Sequence, residues 1–462
     1  MESIRGTLPD GGDRKPPFAV IRSTRSGKTR LLQEITNRLR DDGVVAIFIS
    51  FNGNETPFND QVEHNAKIAM LRRVSFALAD QKLEWEDCGV GSLEGLYACQ
   101  GPVVLVVDEI NAVFRPKDVS ELEGAKSLWL WLKTHFLVPN RQLVFSSHAN
   151  DTYEQVSRDF VATDSVRPVN VLYPPLIDEP LKALPLFPAR LGATTEAIAL
   201  AGRIPGQIIG REVVDTKLEL IEGSLEDPRR FALACLTSSS AHFQMLPLAV
   251  RQVGLFEREN ESRSMRWTPY CITGLLRAQV PFLSEMCKAM AIARNNSGEI
   301  WEFFVALAIV LHRLAGSRHR YLAAAGSASH IEDVVRCDQT VTTWDALVAW
   351  VAQTNGQHLL VLPSLSNFPG ADLVEAVDGK IVGEYQLKAG DGKPSCAAHL
   401  HGAAWLMAGD PPGQPRVRDD GWIKAGDAEM KSFLGASLFR AIPKLWLEPL
   451  SVVEQAAKRV KH

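Results

Sequence analysis

The chain has 462 residues, of which 46% are hydrophobic and 23% are charged, and its formal net charge is −4. This composition is typical of a soluble globular protein of roughly two to four domains, and it excludes nucleic-acid binding through overall basicity. The seven cysteines form no CxxC pair, which argues against a zinc site or a disulfide framework, and no apolar run reaches the roughly 20 residues of a membrane span. We therefore expect an intracellular protein that works in a reducing compartment.

Strands and helices alternate in the first part of the chain, after a polar lead-in over residues 1–17. Continuous apolar runs predict buried strands, and runs with a period near 3.6 residues predict helices. In chain order these are a strand at 18–22, a helix at 28–40, a strand at 44–51, a helix at 64–82, a strand at 103–108, a helix at 119–136 and strands at 142–147 and 169–172. The alternation predicts an α/β domain over residues 18–173 with a doubly wound, mostly parallel sheet.

The pattern changes after this domain. We expect a helical lid over residues 174–224 and a mixed, mostly helical connector over residues 225–292. The sequence pattern of residues 293–462 predicts a second α/β domain with hairpin-like strands. Its elements are an apolar helix at 299–314, strands at 358–362, 372–377 and 380–388, and a helix at 396–408.

The segment RSTRSGKTRLL begins at Arg22 and lies between a predicted strand and a predicted helix. Its SGKT core predicts a phosphate-binding loop, in which Ser26, Gly27 and the helix N-terminus hold phosphates through backbone N–H groups. Lys28 then reaches the β- and γ-phosphates, and the Thr29 hydroxyl binds Mg²⁺. Arg22 replaces the first glycine of the GxxxxGK[ST] pattern, so ATP binding is the firmer expectation and hydrolysis the weaker one.

A second part of a nucleotide site follows in GPVVLVVDEI, a predicted buried strand that ends in two acids. Asp108 is expected to organise Mg²⁺, and Glu109 is expected to polarise the attacking water. An alternative is a strand edge with two solvated acids, but the SGKT core upstream favours the ATPase interpretation.

Two further segments offer residues that would sense the γ-phosphate. The predicted strand LVFSSH ends in Ser146, Ser147 and His148, of which we favour Ser147 as the nucleotide contact. Arg203, in AGRIPG, would act from the helical lid. Polar strand ends and arginines at helix ends are common, so both assignments compete with purely structural roles.

The last section contains a possible metal site on neighbouring strands. Asp372 opens one strand and is expected to bind Mg²⁺, while Gln386 on the next strand would supply a carbonyl oxygen or orient a water molecule. Lys388 would stabilise the transition state or help deprotonate water. Alternation places Lys388 on the same face as Gln386 and Glu384, a possible substitute ligand. Glu302 interrupts the apolar helix and is expected to be a further ligand. The alternative is an ordinary hairpin with a surface lysine.

Together these motifs resemble Crinkler-type effectors and the related retrotransposon hot spot proteins of trypanosomatids, in which a P-loop ATPase is fused to a nuclease of the PD-(D/E)xK, restriction-endonuclease-like class. The resemblance covers residues 18–410, and its QxK form is similar to the Mrr-type branch. The segments that carry it are RSGKTRLL, ISFNGNETPFN, VVLVVDEI, LVFSSH, GRIPG and the late series from GEIWE to EYQLK.

The resemblance implies ATP binding, Mg²⁺-dependent cleavage of double-stranded DNA, oligomerisation through the ATPase domain, and action of a secreted effector in a host nucleus. The chain shows neither an apolar signal segment nor an LFLAK-like translocation motif, which leaves a resident intracellular protein as an alternative. Two other functions stay open. One is a nucleotide-dependent switch with a degenerate nuclease domain, and the other is an ATPase of a mobile element or of DNA repair.

Overall fold

The chain forms two compact units, residues 1–175 and 176–462. The computed structural model describes residues 16–21, 27–51, 56, 63, 65–79, 84–113, 119–147, 169–172, 199–202, 218, 225–253, 255–259, 262–290, 297–319, 322, 331–354, 357–364, 368, 371–388, 404–407, 422–424 and 428–441. None of the helices in these ranges combines the length and apolar character that crossing a bilayer requires. Most of the predicted lid lies outside them, as do Arg22, Ser26, His148 and Arg203.

The N-terminal unit contains a five-stranded sheet in which every pairing is parallel, which confirms the predicted α/β architecture. The strands are β1 (Phe18–Ile21), β2 (Val45–Ser50), β3 (Val103–Asp108), β4 (Arg141–Ser147) and β5 (Asn170–Leu172). The strand order is β2-β3-β4-β1-β5. Hence β4 lies between β1, which leads into the SGKT segment, and β3, which ends in the two acids.

Within the described residues, four helices accompany this sheet, and the predicted helices at 28–40, 64–82 and 119–136 are confirmed with small shifts at their ends. They are α1 (Lys28–Asp41), α2 (Ala66–Leu78), α3 (Glu94–Ala98) and α4 (Val119–Phe136), with a 3₁₀ turn at Ile110–Ala112. The buried side of α1 packs on alternate strand positions, a core made of Phe18, Val20, Leu32, Ile35, Leu39, Ala46, Val104, Val106 and Val144. Side chains alternate along a strand, so Ser50, Asp108 and Ser146 continue the rows that face α1.

The C-terminal unit begins with helices that pack on the long apolar helix α10 (Ser297–Ala315), which confirms the predicted helix at 299–314. The residues from Ile300 to Leu311 are fully buried except Glu302, which is partly exposed. The other elements are α5 (Pro228–Thr237), α6 (Ser240–Gln244), α7 (Leu248–Gln252), hairpin β6 (Leu255–Glu259) and β7 (Ser262–Arg266), α8 (Pro269–Leu275), α9 (Pro281–Met290) and α12 (Ala428–Ala441). Helix α5, from the predicted connector, packs against both α10 and α12.

A mixed sheet completes this unit. Its elements are β8 (Asp333–Arg336), α11 (Trp344–Val351), β9 (His358–Leu362), β10 (Leu373–Val377), β11 (Lys380–Lys388), β12 (Ala404–Met407) and β13 (Trp422–Lys424). The strand order is β13-β12-β11-β10-β9-β8. Strand β10 is antiparallel to both of its neighbours, β9 and β11, and the outer pairs are parallel. The predicted strands at 358–362, 372–377 and 380–388 are confirmed.

The predicted helix at 396–408 is wrong where the structure describes it, because residues 404–407 form strand β12, parallel to β11. An apolar run as short as AWLM carries no periodicity that separates a strand from a helix. Backbone pairing with β11, which the local sequence pattern does not encode, makes this segment a strand. Residues 396–403 lie outside the described residues.

The two faces of this sheet have different neighbours. Helix α11 covers one face through a cluster that includes Leu347, Val351, Leu359, Val361, Val374 and Ala376. Strand alternation directs Glu375 to the opposite face, where it contacts Arg313 of α10. Functional residues on β10 and β11 therefore belong either to the α11 face or to the α10 face.

Candidate functional site

The phosphate-binding position begins at the N-terminus of α1. Gly27 is the N-cap and has φ 85°, ψ 15°, a left-handed conformation that glycine adopts without strain. Lys28 is the first helical residue and is buried, and the Gly27 carbonyl accepts a hydrogen bond from the Leu31 N–H at 2.9 Å. The unpaired N–H groups and positive end of a helix favour an anion, so the loop geometry suits a phosphate.

Asp108, at the end of β3, is fully buried and accepts hydrogen bonds from three hydroxyl groups. Thr29 Oγ1 donates to Oδ2 at 2.8 Å, Ser50 Oγ donates to Oδ2 at 3.3 Å, and Ser146 Oγ donates to Oδ1 at 2.6 Å. The structure thus brings together Thr29 and Asp108, two residues predicted to share one Mg²⁺. A carboxylate surrounded by hydroxyls is the hard oxygen environment that Mg²⁺ prefers, so these residues fit the ion.

Ser146 also fixes the residue after Asp108. Its Oγ accepts a hydrogen bond from the Glu109 backbone N–H at 2.8 Å. Glu109 has φ 56°, ψ 50°, a left-handed conformation that costs a non-glycine residue about 1 kcal/mol or more. The strained backbone turns the chain into the 3₁₀ turn directly after the buried strand and leaves Glu109 partly exposed. An acid in this position suits contact with a water molecule.

Ser147, the residue we favoured as the nucleotide contact, does not join this group. It pairs with Ile21 of β1, and alternation directs its side chain away from the face that carries Asp108 and α1. Its hydroxyl is buried, and within the described residues it has no hydrogen-bond partner. Ser146 therefore replaces Ser147 as the strand-end residue at the site.

Ser50 was not singled out from the sequence, although a signal was present. It ends β2, which lies beside β3 in the parallel sheet, in register with Asp108. Carboxyl ends of neighbouring parallel strands meet at one edge of a sheet. The sequence did not disclose the strand order, and serines at strand ends are too common to identify without it.

In the C-terminal unit the structure brings Asp372 and Gln386 together. Asp372 Oδ2 accepts a hydrogen bond from Gln386 Nε2 at 2.7 Å and another from the Leu387 backbone N–H at 2.6 Å. Gln386 is buried, and Lys388 ends β11 two residues further on. Asp372 therefore has two roles available, as a ligand beside Gln386 and as an acceptor that satisfies the strand backbone.

Glu384 lies two residues before Gln386 on β11 and faces the same side of the sheet. Burial raises the pKa of its carboxyl group. One of its oxygens, Oε2, is buried and has no hydrogen-bond partner within the described residues. These properties keep Glu384 as a possible ligand next to Asp372 and Gln386.

Glu302, the further ligand expected from α10, stays a prediction. Across the residues that the structure describes, no three His, Cys, Asp or Glu side chains converge as a metal site requires. Glu302 lies about three helical turns before Arg313 and shares its side of α10. Arg313 pairs with Glu375, on the sheet face opposite to that of Asp372. The possible metal donors that lie together on β11 and just before β10 are Asp372, Gln386 and Glu384, which fit the ion in part.

Two neighbouring residues near the end of α10, His312 and Arg313, have internal partners in the C-terminal unit. His312 Nε2 donates to the Phe433 carbonyl at 2.6 Å. Arg313 donates to both oxygens of Glu375, at 2.7 and 2.8 Å. His358 Nε2 and the Tyr385 hydroxyl contact the same carboxylate, at 2.7 and 3.3 Å. These contacts lower the pKa of Glu375 although burial opposes them.

Comparison with models of protein families and with curated proteins gave no match. Three solved structures are similar to parts of the chain. The Walker-type ATPase PABY2304 of Pyrococcus abyssi is 14% identical, covers 59% of this chain and 93% of its own, and has a TM-score of 0.38. The ORC2 protein of Aeropyrum pernix in its ADP form is 11% identical, with coverages of 62% and 90% and a TM-score of 0.30. AMPPCP-bound DnaA from Aquifex aeolicus is 15% identical, with coverages of 69% and 82% and a TM-score of 0.24.

The fold of the N-terminal unit follows from its own geometry. The N-terminal unit has a wholly parallel sheet, a Gly-Lys-Thr helix start after β1 and a buried aspartate at the end of β3 that contacts the threonine. This combination is that of a P-loop NTPase fold.

Proposed function

We propose that the N-terminal unit binds Mg²⁺–ATP and hydrolyses it. The observation that carries the proposal is the 2.8 Å hydrogen bond between Thr29 Oγ1 and Asp108 Oδ2, beside the helix N-terminus that Gly27 and Lys28 form. Lys28 and the backbone N–H groups hold the phosphates. Thr29 and Asp108 hold Mg²⁺, which supplies charge neutralisation on the phosphate oxygens when it is bound.

Glu109 is proposed to orient and deprotonate the attacking water, because it follows Asp108 directly and is partly exposed. Its backbone is held by Ser146, so the side chain projects from a fixed position. Because Arg22 replaces the first glycine of the phosphate-loop pattern, ATP hydrolysis is tested separately from ATP binding.

Steady-state phosphate release and nucleotide binding by the purified full chain test these assignments. We expect Lys28→Ala to lower ATP affinity about tenfold or more, since it removes a charged hydrogen-bond donor. Glu109→Gln should retain ATP affinity and lose turnover by about a hundredfold or more. Glu123→Gln, an exposed acid on α4, is the matched control. Binding without turnover in the wild type would instead support the nucleotide-dependent switch.

A second function, Mg²⁺-dependent cleavage of double-stranded DNA, is favoured by the contact between Gln386 Nε2 and Asp372 Oδ2. In this proposal Asp372, Gln386 and Glu384 offer oxygen ligands on one face of the sheet. Lys388 stabilises negative charge that develops on the phosphate. Glu302 of α10 is proposed as a further ligand of this set.

Plasmid nicking with Mg²⁺ tests the nuclease proposal. Asp372→Asn combined with Lys388→Ala should abolish nicking, and the asparagine oxygen can still accept the Leu387 N–H. Asp378→Asn, in the exposed turn between β10 and β11, is the control. Glu384→Gln should lower cleavage and raise the Mg²⁺ concentration that half-maximal cleavage requires. Equal nicking by wild type and the double variant would contradict the nuclease proposal.

On the resemblance to Crinkler-type proteins, we further propose that the chain is an effector that acts in a host nucleus. A fluorescently tagged full chain, expressed in host cells, should then accumulate in the nucleus. Retention in the producing cell would favour a resident ATPase of a mobile element or of DNA repair.

A further inference from the structure

Helix α2 carries two adjacent arginines, Arg72 and Arg73, that are almost completely buried. Their side chains are 1% and 2% exposed. Removing a guanidinium group from water is costly unless hydrogen bonds and charges compensate for it. Both arginines contact the buried carboxylate of Glu63 and the ring of Trp85. Their other partners differ, and that difference indicates what each does.

Arg73 gathers the segment that follows β2. Its Nε donates to the Ser50 carbonyl at 3.3 Å, and its Nη2 donates to the Thr56 carbonyl at 3.0 Å. Its Nη1 donates to the Glu63 carboxylate and, at 3.1 Å, to the carbonyl of Ala69. One side chain therefore holds three points along the chain between the end of β2 and the start of α2.

The same guanidinium lies over the ring of Phe51, 4.4 Å from its centroid. Ser50, which ends β2, and Phe51, which follows it, both contact Asp108. Ser50 Oγ donates to Asp108 Oδ2 at 3.3 Å, and the Phe51 N–H donates to the Asp108 carbonyl at 3.1 Å. Arg73 is thus separated from the proposed Mg²⁺ ligand by a single layer of residues.

Arg72 provides the contrast, since its hydrogen bonds go elsewhere. Its Nε donates to the Cys88 carbonyl at 2.6 Å, and its Nη2 donates to the Trp85 carbonyl at 2.7 Å. It lies 3.9 Å from the Trp85 ring centroid. Arg72 therefore anchors residues 85–88, whereas Arg73 anchors the residues beside Asp108.

We propose that Arg73 is a positioning residue for the Mg²⁺ site. It fixes the chain after β2 so that the Ser50 hydroxyl stays on Asp108, which in turn stays oriented toward Thr29. Arg73 is therefore required for the increase in nucleotide affinity that Mg²⁺ produces. Arg73 is not required for the affinity without Mg²⁺, which depends on the phosphate loop alone. This inference rests on the proposed nucleotide site of the N-terminal unit.

A fluorescent, non-hydrolysable ATP analogue and the full chain provide the test. Its dissociation constant is measured in EDTA and across a Mg²⁺ titration for wild type, Arg73→Lys and Arg72→Lys. We expect Arg73→Lys to bind the analogue as tightly as wild type in EDTA. The increase in affinity on adding Mg²⁺ should be about tenfold smaller than in wild type. Arg72→Lys should keep that enhancement, although loss of its own contacts lowers the melting temperature.

Ser50→Ala is a second test that does not depend on whether the Arg73 variant folds correctly. It leaves every Arg73 contact in place and removes only the hydroxyl that contacts Asp108. It should lose Mg²⁺ enhancement to a similar extent, and the double variant should be no weaker than either single one. The proposal is overturned if wild type shows the enhancement while Arg73→Lys and Ser50→Ala both retain it. Equal loss in Arg72→Lys and Arg73→Lys also overturns it. Absence of nucleotide binding in wild type overturns the proposed site itself.

Discussion

A single hydroxyl, Ser146 Oγ, donates a hydrogen bond to the Asp108 carboxylate and accepts one from the Glu109 backbone N–H. The group proposed to organise Mg²⁺ and the group proposed to orient water are therefore held by the same atom of the neighbouring strand. Any change at Ser146 should disturb both functions together.

Ser146→Ala removes this link and leaves a buried carboxylate and a partly buried N–H each without one partner. We expect the free energy of unfolding to fall by about 1–3 kcal/mol, and Mg²⁺-dependent nucleotide affinity to fall with it. Ser147→Ala is the matched control, because its hydroxyl is buried without a partner within the described residues and its removal should cost little. Equal destabilisation of the two variants in urea denaturation would contradict this assignment.

Glu109→Gly should separate stability from activity. Glycine relieves the left-handed strain at φ 56°, so the free energy of unfolding should stay unchanged or rise by up to about 1 kcal/mol. ATP turnover should fall about a hundredfold or more, because the carboxylate is lost. Asn140→Gly, at another left-handed position with φ 59°, should leave turnover unchanged. Urea denaturation and phosphate release are the two measurements.

His312 should make the C-terminal unit sensitive to acid. Burial lowers the pKa of His312 to about 4 from its ordinary 6.5, so the folded state disfavours the charged imidazole. The unfolded chain then binds the proton more readily between these two values. Stability is fully present above about pH 6.5 and is lost as the pH falls toward about 4, by about 3 kcal/mol in total.

The check is the free energy of unfolding of wild type and His312→Gln at several pH values between about 4 and 7. The variant should be less stable at pH 7 but should lose less stability on acidification. Parallel pH profiles for the two proteins would show that His312 is not the group responsible.

Arg313→Met should destabilise the C-terminal unit by about 3–5 kcal/mol, because it leaves the fully buried Glu375 carboxylate without its bidentate partner. Adding Glu375→Gln should restore part of that stability, since the amide removes the buried charge and can still contact His358 and Tyr385. Urea denaturation of the single and double variants is the measurement. A double variant weaker than the sum of the singles would contradict this explanation.

Local sequence patterns predicted most of the elements around both sites, and they failed where the outcome depends on distant pairing. The buried strands and α1 follow from apolar runs and helical periodicity, and Thr29, Asp108 and Gln386 follow from motifs placed on them. Ser50 and Ser146 depend on which strands lie next to β3, which local pattern does not encode. Glu302 interrupts an apolar helix as a ligand would, and its role as a ligand stays a prediction.

The order of the N-terminal sheet has a consequence for the synthesis of the chain on the ribosome. Strand β1 is the first of the sheet to be translated, yet its neighbours are β4 and β5, the last two of this sheet along the chain. The strand that leads into the phosphate loop therefore has no sheet partner until residues 141–172 have left the ribosome. Nascent chains stalled earlier should expose an apolar strand, FAVI, to chaperones, and nucleotide cannot assist their folding because the site is assembled last.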